Sequence, residues 1–163
     1  MLLHLPALPT ILLDIAAWMI IHVGVSYLMT RVPLNLFDIG FWLYKQKKWE
    51  KDGKIYARIF KLKKWKKRLP DGAALFKKGF QKKHLKGLDD VYLDSFIRET
   101  CRAELTHWIM FLFSAVFFIW NPWWVGIVMI VYAILVNVPC IIIQRYNRIR
   151  LKRAYSKLMA LFV

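Results

Sequence analysis

The sequence predicts an all-α integral membrane protein, and three observations support this prediction. The chain has 163 residues, of which 58% are hydrophobic and 16% aromatic, with a formal net charge of +16. A soluble globule of this size has too little polar surface to cover so much apolar mass. The charges are also segregated, because 105–143 has no charged residue while 31–104 and 144–163 contain all 26 lysines and arginines. The uncharged run excludes a soluble nucleic-acid-binding domain, and the aromatic content excludes a disordered chain.

Three transmembrane helices are predicted, near residues 11–30, 105–120 and 124–143. A spanning helix needs about 20 apolar residues, so the first segment fits one helix and the long uncharged run fits two. Asn121-Pro122, near the centre of that run, is a turn signal, and the tryptophans beside it are typical of a membrane interface. We therefore expect the second and third helices to form an antiparallel hairpin.

The basic residues predict the orientation of the chain. The N-terminal segment and the turn have no basic residue, so the positive-inside rule places the N-terminus outside and both basic segments in the cytoplasm. We treat 1–163 as a single membrane domain. It would consist of the three spans, a cytoplasmic interfacial segment over 31–104 and a basic cytoplasmic tail over 144–163.

The interfacial segment is predicted to contain basic amphipathic helices on the cytoplasmic side. Apolar residues between Ile55 and Leu69 recur at steps of three and four, with lysines between them. One interpretation is that the lysines anchor this segment to anionic lipid. The other is that Lys64, Trp65 and their neighbours bind the phosphates and base of a cosubstrate such as coenzyme A. Nucleic acid would use the same chemistry, but the apolar stripe favours lipid.

Several polar residues are predicted to meet at the inner membrane face. Glu104 and His107 are three residues apart and share a helix face. The hairpin brings 144–148 beside Glu99 and Glu104 and sets His107 level with Asn137, while His22 of the first span points to the same region. Ionisable groups at membrane depth are costly and mark functional sites. A carboxylate that orients an imidazole is suited to general-base catalysis.

The same residues have structural interpretations that the sequence leaves open. Glu99 can form an ion pair with Arg102, or with Arg145 across the hairpin, and Asn137 can serve only as an interhelical hydrogen bond. Glu-x-x-His is half of a di-iron helix motif, but a second copy is absent, so no metal is predicted. These residues alone indicate an acid–base site at the membrane face and no particular reaction.

Several motifs resemble a known family. The most specific are Glu-Thr-x-Arg-Ala-Glu-Leu-x-His-Trp, which begins at Glu99, and Gln-Arg-Tyr-Asn-Arg, which begins at Gln144. Further matching motifs are Trp49-Glu50-Lys51-Asp52-Gly53-Lys54, Leu69-Pro70-Asp71-Gly72 and Asn137-Val138-Pro139. In order and spacing, residues 40–151 are similar to the glycosyl-4,4'-diaponeurosporenoate acyltransferase family.

This resemblance implies a bacterial cell-membrane enzyme in the last step of staphyloxanthin-type carotenoid synthesis. A long-chain acyl group would be esterified to the 6-hydroxyl of a glucose on a C30 carotenoid acid. No bound cofactor is expected, and acyl-CoA or acyl carrier protein would be the donor. The partners would be the bilayer and the glycosylated carotenoid, with no nucleic acid. The alternatives are an acyltransferase for another membrane glycolipid and a non-catalytic adaptor that binds anionic lipid.

We expect three catalytic residues in this reaction. His107 would be the general base and Glu104 would orient it, with Glu99 or His22 as the next candidates for the base. The residues expected to bind substrates, through donor phosphates or the oxyanion in several cases, are Arg102, Asn137, Gln144, Arg145, Tyr146, Asn147, Arg148, His22, Lys64 and Trp65.

Overall fold

The computed structural model describes residues 6–58 and 90–160, and every regular element in these ranges is helical. The described ranges contain four α-helices: α1 (Ala7–Arg31), α2 (Lys54–Arg58), α3 (Asp90–Phe113) and α4 (Trp123–Met159). Short 3₁₀ helices cover Leu34–Leu36, Lys48–Gly53 and Ser114–Ile119. The predicted all-α fold is confirmed.

Three helical segments are long and apolar enough to cross a membrane, namely Ala7–Arg31, Val91–Ile119 and Trp123–Lys157. They include the three predicted spans, and the second and third extend well beyond them. The apolar run marks only the part of a helix that matches lipid, and the helix itself can extend beyond it. α4 contains Pro139 in its interior without ending there. Residues 144–159 contain no glycine or proline, so α4 continues through most of the predicted basic tail.

The chain divides into two compact units. The apolar unit comprises Met1–Arg31 and Leu105–Ile141, and the basic unit comprises Val32–Glu104 and Ile142–Val163. All lysines and arginines except Arg31 belong to the basic unit. Because α3 and α4 contribute residues to both units, the single membrane domain over 1–163 stays a prediction.

The core of the apolar unit is built around Trp18. Its ring stacks on Phe117 with the ring centroids 4.7 Å apart, and it lies 4.8 Å from the ring of Tyr132. Its indole Nε1 donates to the sulfur of Met129 at 3.3 Å. The other buried members of this cluster are Ile21, Met110, Trp120 and Ala133. One aromatic side chain of α1 therefore contacts residues from both arms of the hairpin.

The outer surface of the apolar unit is also apolar. Met19, Ile20, Val128 and Leu135 are among the large hydrophobic side chains that it exposes. In water such a surface would be a severe liability, whereas lipid tails solvate it as well as a protein core does. This pattern, with the length of the helices, identifies a membrane protein.

A buried carboxylate in the apolar unit links α1 to the turn between the 3₁₀ helix and α4. Asp14 is buried, and its Oδ1 accepts hydrogen bonds from Trp120 Nε1 at 2.7 Å and from Asn121 Nδ2 at 2.8 Å. Asn121 and Pro122 lie between the end of the 3₁₀ helix at Ile119 and the start of α4, which confirms the predicted turn. Asp14 thus ties α1 to that turn.

The basic unit contains a tight left-handed segment just before α2. Lys51, Asp52 and Gly53 have φ values of 41°, 55° and 79°, a region that L-residues seldom adopt except for glycine, asparagine and aspartate. This segment reverses the chain into α2, which begins the amphipathic helix predicted from Ile55. The rest of that predicted helix, including Lys64 and Trp65, lies outside the described residues.

The hydrogen bonds of Asp14 generate a stability prediction. Replacing Asp14 with Ala leaves two buried donors without their acceptor, so we expect a loss of about 2–3 kcal/mol in the free energy of unfolding. Asp14→Asn keeps an acceptor oxygen and should lose less than half as much. Thermal unfolding in detergent measures both variants, and equal losses would show that the hydrogen bonds do not stabilise the turn.

Candidate functional site

A buried carboxylate on α3 holds two arginines of α4. Glu104 is fully buried, and its Oε1 accepts a hydrogen bond from Nη1 of Arg145 at 2.8 Å. Its Oε2 accepts from Nη2 of Arg148. The two arginines are three residues apart and therefore share one face of α4. The predicted placement of 144–148 beside Glu104 is confirmed.

The guanidinium of Arg145 also fastens the segment before α2. Its Nε donates to Oε1 of Glu50 at 2.8 Å, and its Nη2 donates to Oε2 of Glu50 at 3.3 Å. The remaining bonds go to the backbone carbonyls of Leu43, at 2.8 Å, and Lys45, at 3.2 Å. With the bond to Glu104, all five N–H groups of Arg145 have an acceptor. Arg145 is therefore fixed in one position and has no donor left for a ligand.

Glu50 is the second buried carboxylate of this arginine network, and it is charged. Burial alone would raise the pKa of its carboxyl group, but hydrogen bonds from Arg145, Tyr56 and the backbone N–H of Lys47 outweigh burial and lower it. The hydroxyl of Tyr56 donates to Oε1 at 2.5 Å. Burial, followed by this hydrogen bond to Glu50, raises the pKa of Tyr56, so the phenol stays protonated.

Arg148 is less saturated than Arg145. Besides its bond to Glu104, its Nη1 lies 3.7 Å from the sulfur of Cys101, and its guanidinium lies 5.5 Å from the ring centroid of Tyr44. Burial, with smaller contributions from Cys101 and Glu104, raises the pKa of Tyr44 to about 12. Tyr44 is therefore a neutral hydroxyl group at physiological pH.

In the apolar unit, Asn137 orients the imidazole of His107. The amide Nδ2 of Asn137 donates to the carbonyl of Ala133 at 3.0 Å, and its Oδ1 lies 3.0 Å from Nδ1 of His107. A carbonyl only accepts, so Nδ2 must face Ala133 and Oδ1 must face the histidine. This assignment places the proton of a neutral imidazole on Nδ1 and the lone pair on Nε2. The predicted level pairing of His107 with Asn137 is confirmed.

The other predicted catalytic residues have defined partners. The carboxylate of Glu99 forms an ion pair with Arg102 at 2.5 Å, and Nη1 of Arg102 also approaches the carbonyl of Val32 at 3.5 Å. This confirms the ion-pair interpretation of Glu99 with Arg102. Because both oxygens of Glu104 accept hydrogen bonds from arginines, its proposed action on His107 stays a prediction, as does a catalytic role for Glu99.

The remaining predicted residues are less closely tied to this site. His22 stacks on Trp18 with ring centroids 5.2 Å apart. Within the described part of the chain, neither Nε2 of His22 nor Oε1 of Gln144 has a hydrogen-bond partner, and both atoms are buried. Tyr146 is buried, with its ring 5.6 Å from the guanidinium carbon of Arg150. Asn147 is half-buried on α4. Lys64 and Trp65 lie outside the described residues.

Sequence reasoning missed two residues of the arginine network, Glu50 and Tyr44. Glu50 belongs to one of the motifs that carry the family resemblance, and Asp52-Gly53 after it is a recognisable turn signal. Neither feature indicates that Glu50 meets an arginine 95 residues later in the chain. Tyr44 stands in an aromatic stretch that suggests a membrane surface, although its own side chain is buried.

The buried carboxylate of Glu104 predicts a larger loss of stability on mutation than an exposed ion pair does. Glu104→Ala leaves the guanidinium of Arg148 without a carboxylate and that of Arg145 with one instead of two, so we expect a loss of about 3–5 kcal/mol. The exposed pair of Arg153 and Asp52, at 3.6 Å, is the matched control; Arg153 also donates to the backbone carbonyl of Asp52 at 2.7 Å. Arg153→Ala should cost far less than Glu104→Ala, because solvent screens an exposed pair. Denaturant unfolding in detergent measures both variants, and comparable losses would contradict the structural role of Glu104.

Comparison with known proteins places these motifs in a family. The model of the glycosyl-4,4'-diaponeurosporenoate acyltransferase family matches residues 41–157. Proteins of that name from Staphylococcus aureus strains USA300 and Newman are each 37% identical to the chain over 134 residues. Each alignment covers 82% of this chain and 81% of the relative. No solved structure matches the chain. The matched region includes both buried carboxylates and His107, and the chain belongs to the glycosyl-4,4'-diaponeurosporenoate acyltransferase family.

Proposed function

We propose that this protein is a membrane O-acyltransferase that transfers a long-chain acyl group to the 6-hydroxyl of the glucose on a glycosylated C30 carotenoid acid. Family membership supports acyl transfer, and the names of the relatives specify the glycosylated carotenoid. An acceptor of that kind has an apolar polyene and a polar sugar, and it would lie across the boundary between lipid and water. A chain with long apolar helices and a strongly basic unit is suited to such a substrate.

The observation that carries the proposed mechanism is the anchored imidazole of His107. With Nδ1–H held by Asn137, Nε2 carries the lone pair that takes the proton of the sugar hydroxyl. The hydroxyl oxygen then attacks the thioester carbonyl of the donor and forms a tetrahedral intermediate. Its collapse breaks the carbon–sulfur bond, and the leaving thiolate takes the proton from Nε2. The products are an ester and a free thiol, and neither a metal nor an acyl-enzyme is required.

The arginine network fixes the guanidinium groups of Arg145 and Arg148 in the basic unit. Because Arg145 has no free donor, we assign it to positioning, and we assign Arg148 to the donor or the oxyanion. Arg102 and Asn147 remain candidates for the same role. Acyl-CoA is the proposed donor, since its phosphates suit a basic unit, and acyl carrier protein is the alternative.

The distribution of charge supports an orientation with the basic unit in the cytoplasm and the N-terminus outside the bacterial cell membrane. Acyl donors are made in the cytoplasm, and a charged coenzyme does not cross a bilayer. This orientation therefore gives the enzyme direct access to its donor.

The orientation can be tested with the reaction itself. Acyl-CoA added to inside-out vesicles that contain the protein and a glucosyl carotenoid acid should give the acylated product, detected by mass spectrometry. Right-side-out vesicles should give at least tenfold less until detergent opens them. Equal product from both preparations would contradict the orientation, and product from another glycolipid alone would contradict the carotenoid acceptor.

The catalytic role of His107 predicts a loss of turnover without a loss of folding. His107→Ala should reduce kcat by about 10²–10⁴, because the general base is removed. Asn137→Ala should reduce kcat by about 10–100-fold, because the imidazole loses its orientation and its preferred tautomer. Product formation by purified protein in nanodiscs is the measurement, with thermal unfolding of each variant beside it.

His84→Ala is the matched control for these variants, since it removes an imidazole to which no role is assigned. It should retain wild-type turnover. Turnover retained in His107→Ala would move the base to His22 or Glu99. A loss in Asn137→Ala that equals its loss of folded protein would reduce Asn137 to a structural contact.

A further inference from the structure

A small surface pocket of the basic unit contains hydrogen-bond donors that the arginine network does not use. Its lining residues are Tyr44, Gln46, Glu50, Arg145, Arg148, Ile149 and Lys152. Three of them are cations and one is a carboxylate, and Glu104 behind the arginines adds a second carboxylate. The pocket and its support therefore have a net positive charge, and the pocket opens to the surface.

The two arginines of this pocket differ in how many of their N–H groups remain available to a ligand. Arg145 has acceptors for all five of its N–H groups. Arg148 has two hydrogen bonds within the part of the chain that the structure describes, to Glu104 and to the sulfur of Cys101. Its side chain is nevertheless only 2% exposed. A buried guanidinium with unused N–H groups beside an open pocket is a ready donor for an anion.

Lys152 lies one helical turn after Arg148 on α4 and lines the same pocket. Among residues 6–58 and 90–160, no carboxylate is within ion-pair distance of its ammonium group, and no acceptor receives a hydrogen bond from it. The ammonium is half-buried, so the pocket removes part of its hydration without supplying a counter-ion.

Tyr44 completes the set of unused donors. Its side chain is 5% exposed, its ring contacts Arg148 and Phe41, and its hydroxyl has no hydrogen-bond partner among the described residues. Because its pKa is raised to about 12, the hydroxyl keeps its proton and is available as a donor. Three side chains of different types thus line one pocket with donors that residues 6–58 and 90–160 do not satisfy.

We propose that this pocket binds a phosphate group through the ammonium of Lys152, the guanidinium of Arg148 and the hydroxyl of Tyr44. A phosphate has several acceptor oxygens and a full negative charge, which suits three converging donors with a net positive charge. Arg145, held by Glu50 and Glu104, fixes the wall against which the group binds. The phosphate can come from the acyl donor, in which case this inference rests on the proposed function, or from a phospholipid headgroup.

Binding of coenzyme A to the full-length protein in phosphatidylcholine nanodiscs tests the donor source without requiring turnover. Lys152→Ala should weaken the Kd by about tenfold, as expected for the loss of one charge-assisted hydrogen bond, and Tyr44→Phe should weaken it by several-fold. Lys157→Ala removes the same side chain from an exposed position later on α4 and should leave the Kd unchanged. The effect of Lys152 should decline as salt is added.

A second measurement tests the headgroup source. If lipid phosphate occupies the pocket, phosphatidylglycerol in the nanodisc should compete with coenzyme A for the wild-type protein. The same lipid should not compete for Lys152→Ala. If Lys152→Ala and Tyr44→Phe match the wild type for both coenzyme A and phosphatidylglycerol, the pocket does not bind phosphate and the inference is wrong. Acyl transfer measured on the same samples separates the phosphate-pocket proposal from the proposed function. Acyl transfer without an effect of the pocket variants would contradict only the pocket, and coenzyme A binding without acyl transfer would contradict only the function.

Discussion

The basic unit depends on the pairing of two buried carboxylates with two arginines of one helix. Glu104 and Glu50 are both fully buried, and between them they hold Arg145 by three of its N–H groups. Each of these charges would be costly to bury without a partner. Removing one partner therefore lowers the free energy of unfolding. The arrangement therefore fixes α3, α4 and the segment before α2 in a single geometry.

The same pairing divides the arginines into two roles. All N–H groups of Arg145 donate to carboxylates or backbone carbonyls, so Arg145 links parts of the chain that are distant in sequence. Arg148 gives one N–H to Glu104 and keeps others, while Lys152 one turn later has no carboxylate partner among the described residues. A rigid cation beside two available ones suits the anion proposed above, because the pocket wall does not reorganise when the ligand binds.

Much of the fold followed from the sequence because the bilayer imposes simple rules. The lengths of the apolar segments predicted the three long helices. The Asn121-Pro122 turn predicted the hairpin that pairs His107 with Asn137. The partners of Glu50 were not predictable, since a contact across 95 residues has no local signature. The tautomer of His107 was also not predictable from the sequence, because it depends on which atom of Asn137 faces Ala133.

The scarcity of acids narrows the choice of base. The chain has 10 acidic residues against 26 basic ones, and the buried ones that the structure describes are Asp14, Glu50, Glu99 and Glu104. Each of these accepts hydrogen bonds from a tryptophan, tyrosine, amide or arginine donor, so each already neutralises or satisfies a group of the protein. A carboxylate used in this way loses the negative charge that stabilises its partner when it takes a substrate proton. The imidazole of His107, whose Nδ1 is anchored and whose Nε2 holds a lone pair, accepts a proton without breaking any of these contacts. We therefore propose His107, rather than a buried carboxylate, as the general base.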